Sequence, residues 1–323
     1  MPHAIRIHQY GGPEVLRWED IDVGQPGPGE VRLRHTAIGL NFIDIYERTG
    51  LYPVQLPAVL GKEAAGVIEA LGLGVRQLKV GDRVAYTSQQ SGAYSEARIL
   101  SAERLVKVPD NIDDQHAAAM TLKGLTAQML LRQTYRLRKN EFALIHAAAG
   151  GVGSIAVQWA RHIGAKVIAV VGSNEKATLV RELGADHVVL SGDNWVEQVR
   201  AATGGKGVHV VYDSVGKDTF LGSLDCLRPR GLMVSFGNAS GPVPPVAPLE
   251  LSKRGSLYLT RPTLFHYIPT RANLARAAQE LFDVVARGIV KVHVGQTYPL
   301  REAARAHVDL EARRTTGSSV LLP

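Results

Sequence analysis

A change of rhythm at Glu141 constrains this chain most. Phe142–His146 is a short apolar run that ends in Ala147-Ala148-Ala149-Gly150-Gly151-Val152-Gly153. Ile155, Val157, Ala160 and Ile163 follow at helical spacing, and Gly164 stands where a helix C-cap belongs. A strand, a glycine-rich turn and a helix start in that order are the context in which free backbone N–H groups bind phosphate. Gly150 is expected to let the backbone approach a pyrophosphate, and Gly153 to let the helix pack close to the strand. Ala148 stands where the first glycine of the usual pattern would be. Lys166–Val171 reads as a buried strand, and Asn174–Leu183 as a helix closed by Gly184. His187–Leu190, Val208–Tyr212, Leu232–Phe236 and Ser256–Thr260 are further apolar runs, with helical stretches between most of them. Strands alternating with helices predict βαβ units and a parallel sheet, here the α/β doubly wound dinucleotide fold.

The first third has a different pattern. Short alternating segments such as Ala4–His8, Val31–Ile38 and Ala64–Leu71 are separated by Gly11-Gly12-Pro13, the Pro26–Gly29 stretch and Gly81-Asp82, which predicts a β-rich region. After Pro262, Leu274, Ala277, Ala278, Leu281, Val284 and Val285 form an apolar helical stripe, and Ser319–Leu322 reads as a strand. Residues 124–262 are therefore expected as a nucleotide domain inserted into a second domain made of 1–123 and 263–323. The length of 323 residues fits two cores. The single cysteine, Cys226, excludes an internal disulfide framework, and no apolar run is long enough to span a bilayer. A cytoplasmic protein without membrane insertion is the expectation. The net charge of +7 is scattered, without a basic arm, so nucleic-acid binding is kept only as a minor alternative.

The end of the second nucleotide-domain strand bears on which dinucleotide binds. Enzymes that use NAD place an acid there for the ribose hydroxyls. This chain has Val171-Gly172-Ser173, followed by Lys176. A cation in a helix's first turn opposes the macrodipole, which a bound 2′-phosphate would explain. A solvated surface lysine is the plainer alternative. Glu175 reads as a helix-start residue.

Asn41-Phe42-Ile43-Asp44, Tyr46, Gly50-Leu51-Tyr52-Pro53, Gly61-Lys62-Glu63-Ala64-Ala65-Gly66, Lys123-Gly124-Leu125-Thr126, Val211–Gly216 and Ser235–Asn238 together resemble the zinc-free quinone oxidoreductases of the zeta-crystallin type. These belong to the medium-chain dehydrogenase/reductases. The resemblance covers essentially the whole chain and is strongest to the bacterial NADPH:quinone reductases. It implies a GroES-like catalytic domain, a Rossmann domain that binds NADPH, and a homodimer. Zinc relatives carry a cysteine where Asn41 stands and Gly-His-Glu where this chain has Gly61-Lys62-Glu63. An amide and an ammonium are not zinc ligands, so no metal is expected. The resemblance also implies cofactor contacts from Asn41 and Thr126, from the backbone at Gly150, Gly151, Val152 and Gly153, and from Gly172, Ser173 and Lys176 around a 2′-phosphate. Ser191, Ser214, Phe236, Gly237, Asn238, Thr260, Arg261 and Arg313 complete that set. Close relatives have a tyrosine after the third strand near the adenine. Ser191, in the corresponding stretch here, can hydrogen-bond a phosphate but cannot stack.

Without a metal, negative charge developing on a substrate oxygen must be met by hydrogen-bond donors. Asn41 and Tyr46 are the expected donors, with Tyr52 beside them. A ketone would yield an alkoxide, whereas a quinone yields a phenolate whose conjugate acid lies near the ordinary tyrosine value of ~10. The missing metal thus favours a quinone or a conjugated enone. A structural reading stands beside this one: Asn41 as a cap, and Tyr46 or Tyr52 as core aromatics. The sequence therefore predicts an NADPH-dependent quinone reductase, with an enone or alkenal double-bond reductase as the alternative on the same fold.

Overall fold

Six strands, every neighbouring pair parallel, make the one all-parallel sheet. Their order is His187–Leu190, Lys166–Val171, Phe142–His146, Val208–Asp213, Leu227–Ser235 and Tyr258–Thr260. Numbered along the chain this is 3-2-1-4-5-6, the doubly wound dinucleotide order. The central strands are buried on both faces, so they read as continuous apolar runs rather than alternating ones. Leu144, Ile168, Val170, Val211 and Met233 form the centre of that core. The helix Gly151–Ile163 ends at Gly164, whose φ of 88° and ψ of 16° are the left-handed cap its sequence position predicted.

This computed structural model describes residues 1–323. The sheet belongs to a unit made of 124–267 and 283–291; the other unit holds 1–123, 268–282 and 292–323. The chain leaves the nucleotide unit at 267 rather than at the expected 262, because Leu264–Tyr267 packs against the Met129–Thr134 turn of the same unit. Residues 283–291 also belong to it, contrary to the expected 263–323 block. Gln158 accounts for this at one end: its Nε2 donates to Lys291 O at 3.1 Å, and Lys291 N–H donates to its Oε1 at 2.9 Å.

The first unit is β-rich. Val294–Pro299, Ser318–Leu322, Glu30–Leu40, Glu63–Leu71, Arg83–Thr87 and Leu105–Lys107 lie side by side, and Ala97–Ser101 also pairs with Glu30–Leu40. A second sheet joins Arg17–Asp20, His3–Ile7 and Ala58–Val59. Glu30–Leu40 runs directly into the helix Phe42–Arg48 through Asn41, which is how the expected catalytic segment is anchored to the sheet. No helix is long and apolar enough to cross a membrane.

Candidate active site

In the nucleotide unit, the expected binding residues gather at the carboxyl ends of the parallel strands. After Phe142–His146 the chain turns with Ala147 in the left-handed region, and Gly150 is the N-cap of Gly151–Ile163. A Cβ on Gly153 would lie 2.4 Å from Ala147 O and 2.7 Å from Ala148 Cα, so only glycine lets the helix begin this close to the strand. A Cβ on Gly150 would meet only Ala147 O, at 3.2 Å. Its lack of a side chain thus serves the space outside the turn more than the packing within it. The N–H groups of Gly151, Val152 and Gly153 precede the first intrahelical bond, from Ser154 N–H to Gly150 O at 2.8 Å. These residues fit a pyrophosphate.

At the next strand end, Ser173 caps the helix Asn174–Glu182, its Oγ accepting the Lys176 N–H at 3.3 Å. The hydroxyl keeps its own proton and a second lone pair for a ligand. Ser191 N–H donates to Val171 O at 2.8 Å, which sets Ser191 beside Gly172. A Cβ on Gly172 would meet only Ser191 Oγ, 3.8 Å away. Gly172, Ser173, Lys176 and Ser191 are thus neighbours across two strand ends. No carboxylate follows the strand before Glu175, which lies in the helix's first turn.

Asp213 is a residue that the sequence reading did not single out. It is fully buried at the end of Val208–Asp213. Its carboxylate accepts Val215 N–H at 2.7 Å, Gly216 N–H at 3.0 Å, Thr219 Oγ1–H at 2.7 Å and Ser223 Oγ–H at 3.2 Å. Ser223 Oγ also lies 2.9 Å from His146 Nε2. Since the hydroxyl's one proton goes to Asp213, Nε2 must be the protonated nitrogen of His146. Nδ1 is buried without a partner. Burial lowers the His146 pKa, Asp213 opposing, so the ring is neutral. This network shapes the loop that carries Ser214. A Cβ on Gly237 would lie 2.3 Å from Ser214 O, so glycine is required there as well. Phe236 N–H donates to Asp213 O at 2.8 Å, and Asn238 is buried. Arg261 Nη1 donates to Ser235 Oγ at 2.9 Å and to Gly237 O at 3.0 Å, so this guanidinium braces the loop. Thr260 pairs with Val234 on the neighbouring strand, and Thr126 lies half-buried on the helix Asp114–Gln128. An acid closing an apolar strand was the available signal for Asp213, since a buried carboxylate must find donors.

The first unit holds Asn41, Tyr46, Tyr52 and Arg313. Asn41 is the N-cap of Phe42–Arg48, and its backbone N–H donates to Asp44 Oδ2 at 2.9 Å. Its Nδ2 donates to Glu63 Oε1 at 2.8 Å and to Gly39 O at 3.3 Å. Both amide protons are therefore engaged, which departs from the donor role expected for Asn41. Tyr46 is 8% exposed and meets Tyr52 edge-on at 5.2 Å. Arg313 is exposed, with a left-handed φ of 58°, beyond the helix Ala303–Glu311.

Beneath these residues runs a directed hydrogen-bond chain. Arg48 donates to Glu311 at 2.8 and 3.0 Å and to His307 Nδ1 at 3.0 Å. Because arginine only donates, His307 carries its proton on Nε2, which meets Tyr94 Oη at 3.0 Å. Tyr94 in turn donates to Asp44 Oδ2 at 2.9 Å. Burial, with Glu47 nearby, pushes the Asp44 carboxyl up to about 7. Lys62, at the position where zinc relatives carry histidine, is buried against Glu47 at 2.6 Å. No group of three or more His, Cys, Asp or Glu side chains stands where it could hold a metal ion. Asn41 and Lys62 supply no anionic or imidazole ligand, and Glu63 is committed to Lys123 at 2.6 Å. The donor set does not fit zinc.

A glycine turn at the switch point of a doubly wound sheet, joined to a β-rich unit that carries polar and aromatic residues on a sheet-anchored helix, defines a two-domain nicotinamide-type dehydrogenase or reductase. Comparison with known proteins agrees. Residues 27–110 match the family described as alcohol dehydrogenase GroES-like domain, and 151–282 match the one described as zinc-binding dehydrogenase. The chain is 55% identical to a quinone oxidoreductase of Pseudomonas aeruginosa over 325 residues, covering all of both. It is 50% identical to a 2-haloacrylate reductase of a Burkholderia species, covering all of this chain and 99% of the relative. The solved Escherichia coli quinone oxidoreductase complexed with NADPH superposes with a TM-score of 0.97 at 49% identity, over 99% of this chain and all of the other. The chain belongs to the quinone oxidoreductase family of the medium-chain dehydrogenase/reductases.

Proposed function

We propose that the protein is an NADPH-dependent quinone reductase that works without a metal, as a homodimer in the cytoplasm. The observation that carries this reading is the donor set around Asn41. Lys62 and Asn41 occupy the positions of metal ligands and are paired to Glu47 and Glu63 instead. Without a Lewis acid, the acceptor must be one whose reduced oxygen is weakly basic, and a quinone meets that condition. NADPH, when bound, supplies hydride from nicotinamide C4. The chain's residues bind and orient. The N–H groups of Gly151, Val152 and Gly153 hold pyrophosphate, and Gly172, Ser173, Lys176 and Ser191 hold the 2′-phosphate. Thr126, Ser214, Phe236, Gly237, Asn238, Thr260, Arg261 and Arg313 line the remainder of the cofactor. Tyr46 donates a hydrogen bond to the oxygen that gains charge, with Tyr52 fixing its ring.

Relatives named quinone oxidoreductase support the acceptor class, at 55% and 49% identity. The 2-haloacrylate reductase, at 50% identity, favours a second reading in which an activated carbon–carbon double bond takes the hydride. The dimer rests on Tyr258–Thr260, an edge strand of the parallel sheet with Tyr258 56% and Leu259 40% exposed. Pairing with a second copy would cover that edge. Steady-state rates with NADPH over a panel of quinones beside a panel of enones test the proposal. The expected result is a higher kcat/KM for the quinones; uniformly better enones would replace this reading with the second.

A further inference from the structure

We infer that the buried Glu63–Lys123 pair fixes the Asn41 amide with both protons inward, so that Asn41 meets a bound ligand as a hydrogen-bond acceptor through Oδ1. Glu63 and Lys123 are then positioning residues. The inference rests on the proposed reading of Asn41 as a residue that faces cofactor or substrate.

Glu63 opens the strand Glu63–Leu71 opposite Gly39 and is fully buried. A Cβ on Gly39 would lie 2.3 Å from Glu63 Oε1 and 2.4 Å from Ala118 O. The absence of a side chain at Gly39 is what lets the carboxylate lie across the sheet at this point. Three donors converge on it: Lys123 Nζ at 2.6 Å and Asn41 Nδ2 at 2.8 Å on Oε1, and Leu122 N–H at 2.6 Å on Oε2. The second Asn41 proton goes to Gly39 O at 3.3 Å. Turning the amide over would place Oδ1 against both a carboxylate and a carbonyl, three acceptors with no proton among them. Burial makes that arrangement costly. The amide orientation thus follows from chemistry rather than from the shape of the side chain, whose O and N are nearly the same size. Lys123, 7% exposed at its side chain, neutralises the buried carboxylate and keeps it an acceptor. The ligand group that Asn41 recognises must therefore carry an O–H or N–H. Candidates are a sugar hydroxyl or carboxamide on the cofactor and the hydroxyl of the reduced acceptor.

The test is a mutant cycle read by NADPH dissociation constants in the absence of acceptor and by the quinone KM and kcat. Glu63→Gln together with Lys123→Met keeps the pair neutral and lets the amide turn. It should weaken NADPH binding about fivefold to tenfold if the ligand group is on the cofactor, or raise the quinone KM by the same factor if it is on the substrate. In an Asn41→Ala background the same two changes should alter either constant less than about twofold. A full effect in that background, or none in the parent background, overturns the inference. An unsubstituted protein that does not bind NADPH overturns the functional reading instead. The unsubstituted protein offers a second measurement, which does not need the Glu63 and Lys123 variants to fold. By NMR, both side-chain amide protons of Asn41, assigned by their loss in Asn41→Ala, should exchange slowly with solvent; rapid exchange of either contradicts the inference.

Discussion

On the proposed reading, Tyr46 is the donor left to meet negative charge on a substrate oxygen once both Asn41 protons are engaged. Tyr46→Phe should lower kcat with several quinones by about tenfold and leave NADPH affinity within about twofold. The loss is smaller than the ~10²–10³ of a fully used oxyanion donor because solvent can share the role. Unchanged turnover removes Tyr46 from the mechanism. On the proposed reading, cofactor choice is decided at Ser173 and Lys176. Asp is as good an N-cap as Ser, so Ser173→Asp keeps the helix start while adding an anion. Combined with Lys176→Ala, it should erase or reverse a preference for NADPH over NADH of at least about tenfold. Dissociation constants for the two cofactors decide this, and equal affinities of the unsubstituted protein defeat it. At this scale the sequence was readable where backbone geometry dictates residue type. Gly153 and Gly237 meet backbone so closely that no side chain fits. The direction of the Asn41 amide was not readable, because it depends on Glu63, 22 residues away. Asp213 carried a signal, an acid closing an apolar strand, but its donors follow within ten residues in a loop and helix whose fold the sequence pattern does not mark.

The buried histidines tie several elements to pH. His35, on the strand Glu30–Leu40, lies 2.6 Å from Ser95 O and 3.0 Å from Tyr86 Oη; His307 sits on the helix Ala303–Glu311. Burial pushes both down to about 3, with Arg98 adding for His35 and Arg48 for His307. The unfolded chain, with histidine near 6.5, binds these protons first. Stability is therefore full above about 6.5 and falls as pH drops towards 3, by about 1.4 kcal/mol per pH unit for each ring. Asp44 acts in the opposite sense. Its carboxyl is pushed up to about 7, so the folded chain holds that proton more tightly, and stability grows as pH falls from 7 towards 4. Glu47 and Lys62 face it, as do Tyr94, His307 and Arg48 along the chain. Two rings against one carboxyl leave a net loss on acidification, and His146 adds to it. His307→Gln should reduce the drop in Tm between pH 6.5 and 5; an unchanged slope contradicts this assignment. Nothing in the spacing of these three histidines along the sequence announces the polar chains they complete.

For the whole molecule, the alternation of strand and helix after Glu141 carried the doubly wound order, since right-handed crossovers leave few other topologies. The ends of the inserted unit were less legible. Leu264–Tyr267 and residues 283–291 fold with the nucleotide unit through tertiary contacts, such as Gln158 with Lys291, that no local pattern marks. Pairing of two Tyr258–Thr260 edges predicts a dimer by sedimentation at micromolar concentration; a monomer would count against that pairing. The central claim is hydride transfer from NADPH to a quinone without a metal, and a single-turnover measurement reaches it directly. The protein is dialysed against a strong chelator, loaded with NADPH and mixed anaerobically with one equivalent of quinone while nicotinamide absorbance is followed. The account predicts one NADPH oxidised per quinone, at a rate the chelator does not change. No oxidation of bound NADPH, or oxidation that is lost with the chelator and restored by zinc, would contradict it.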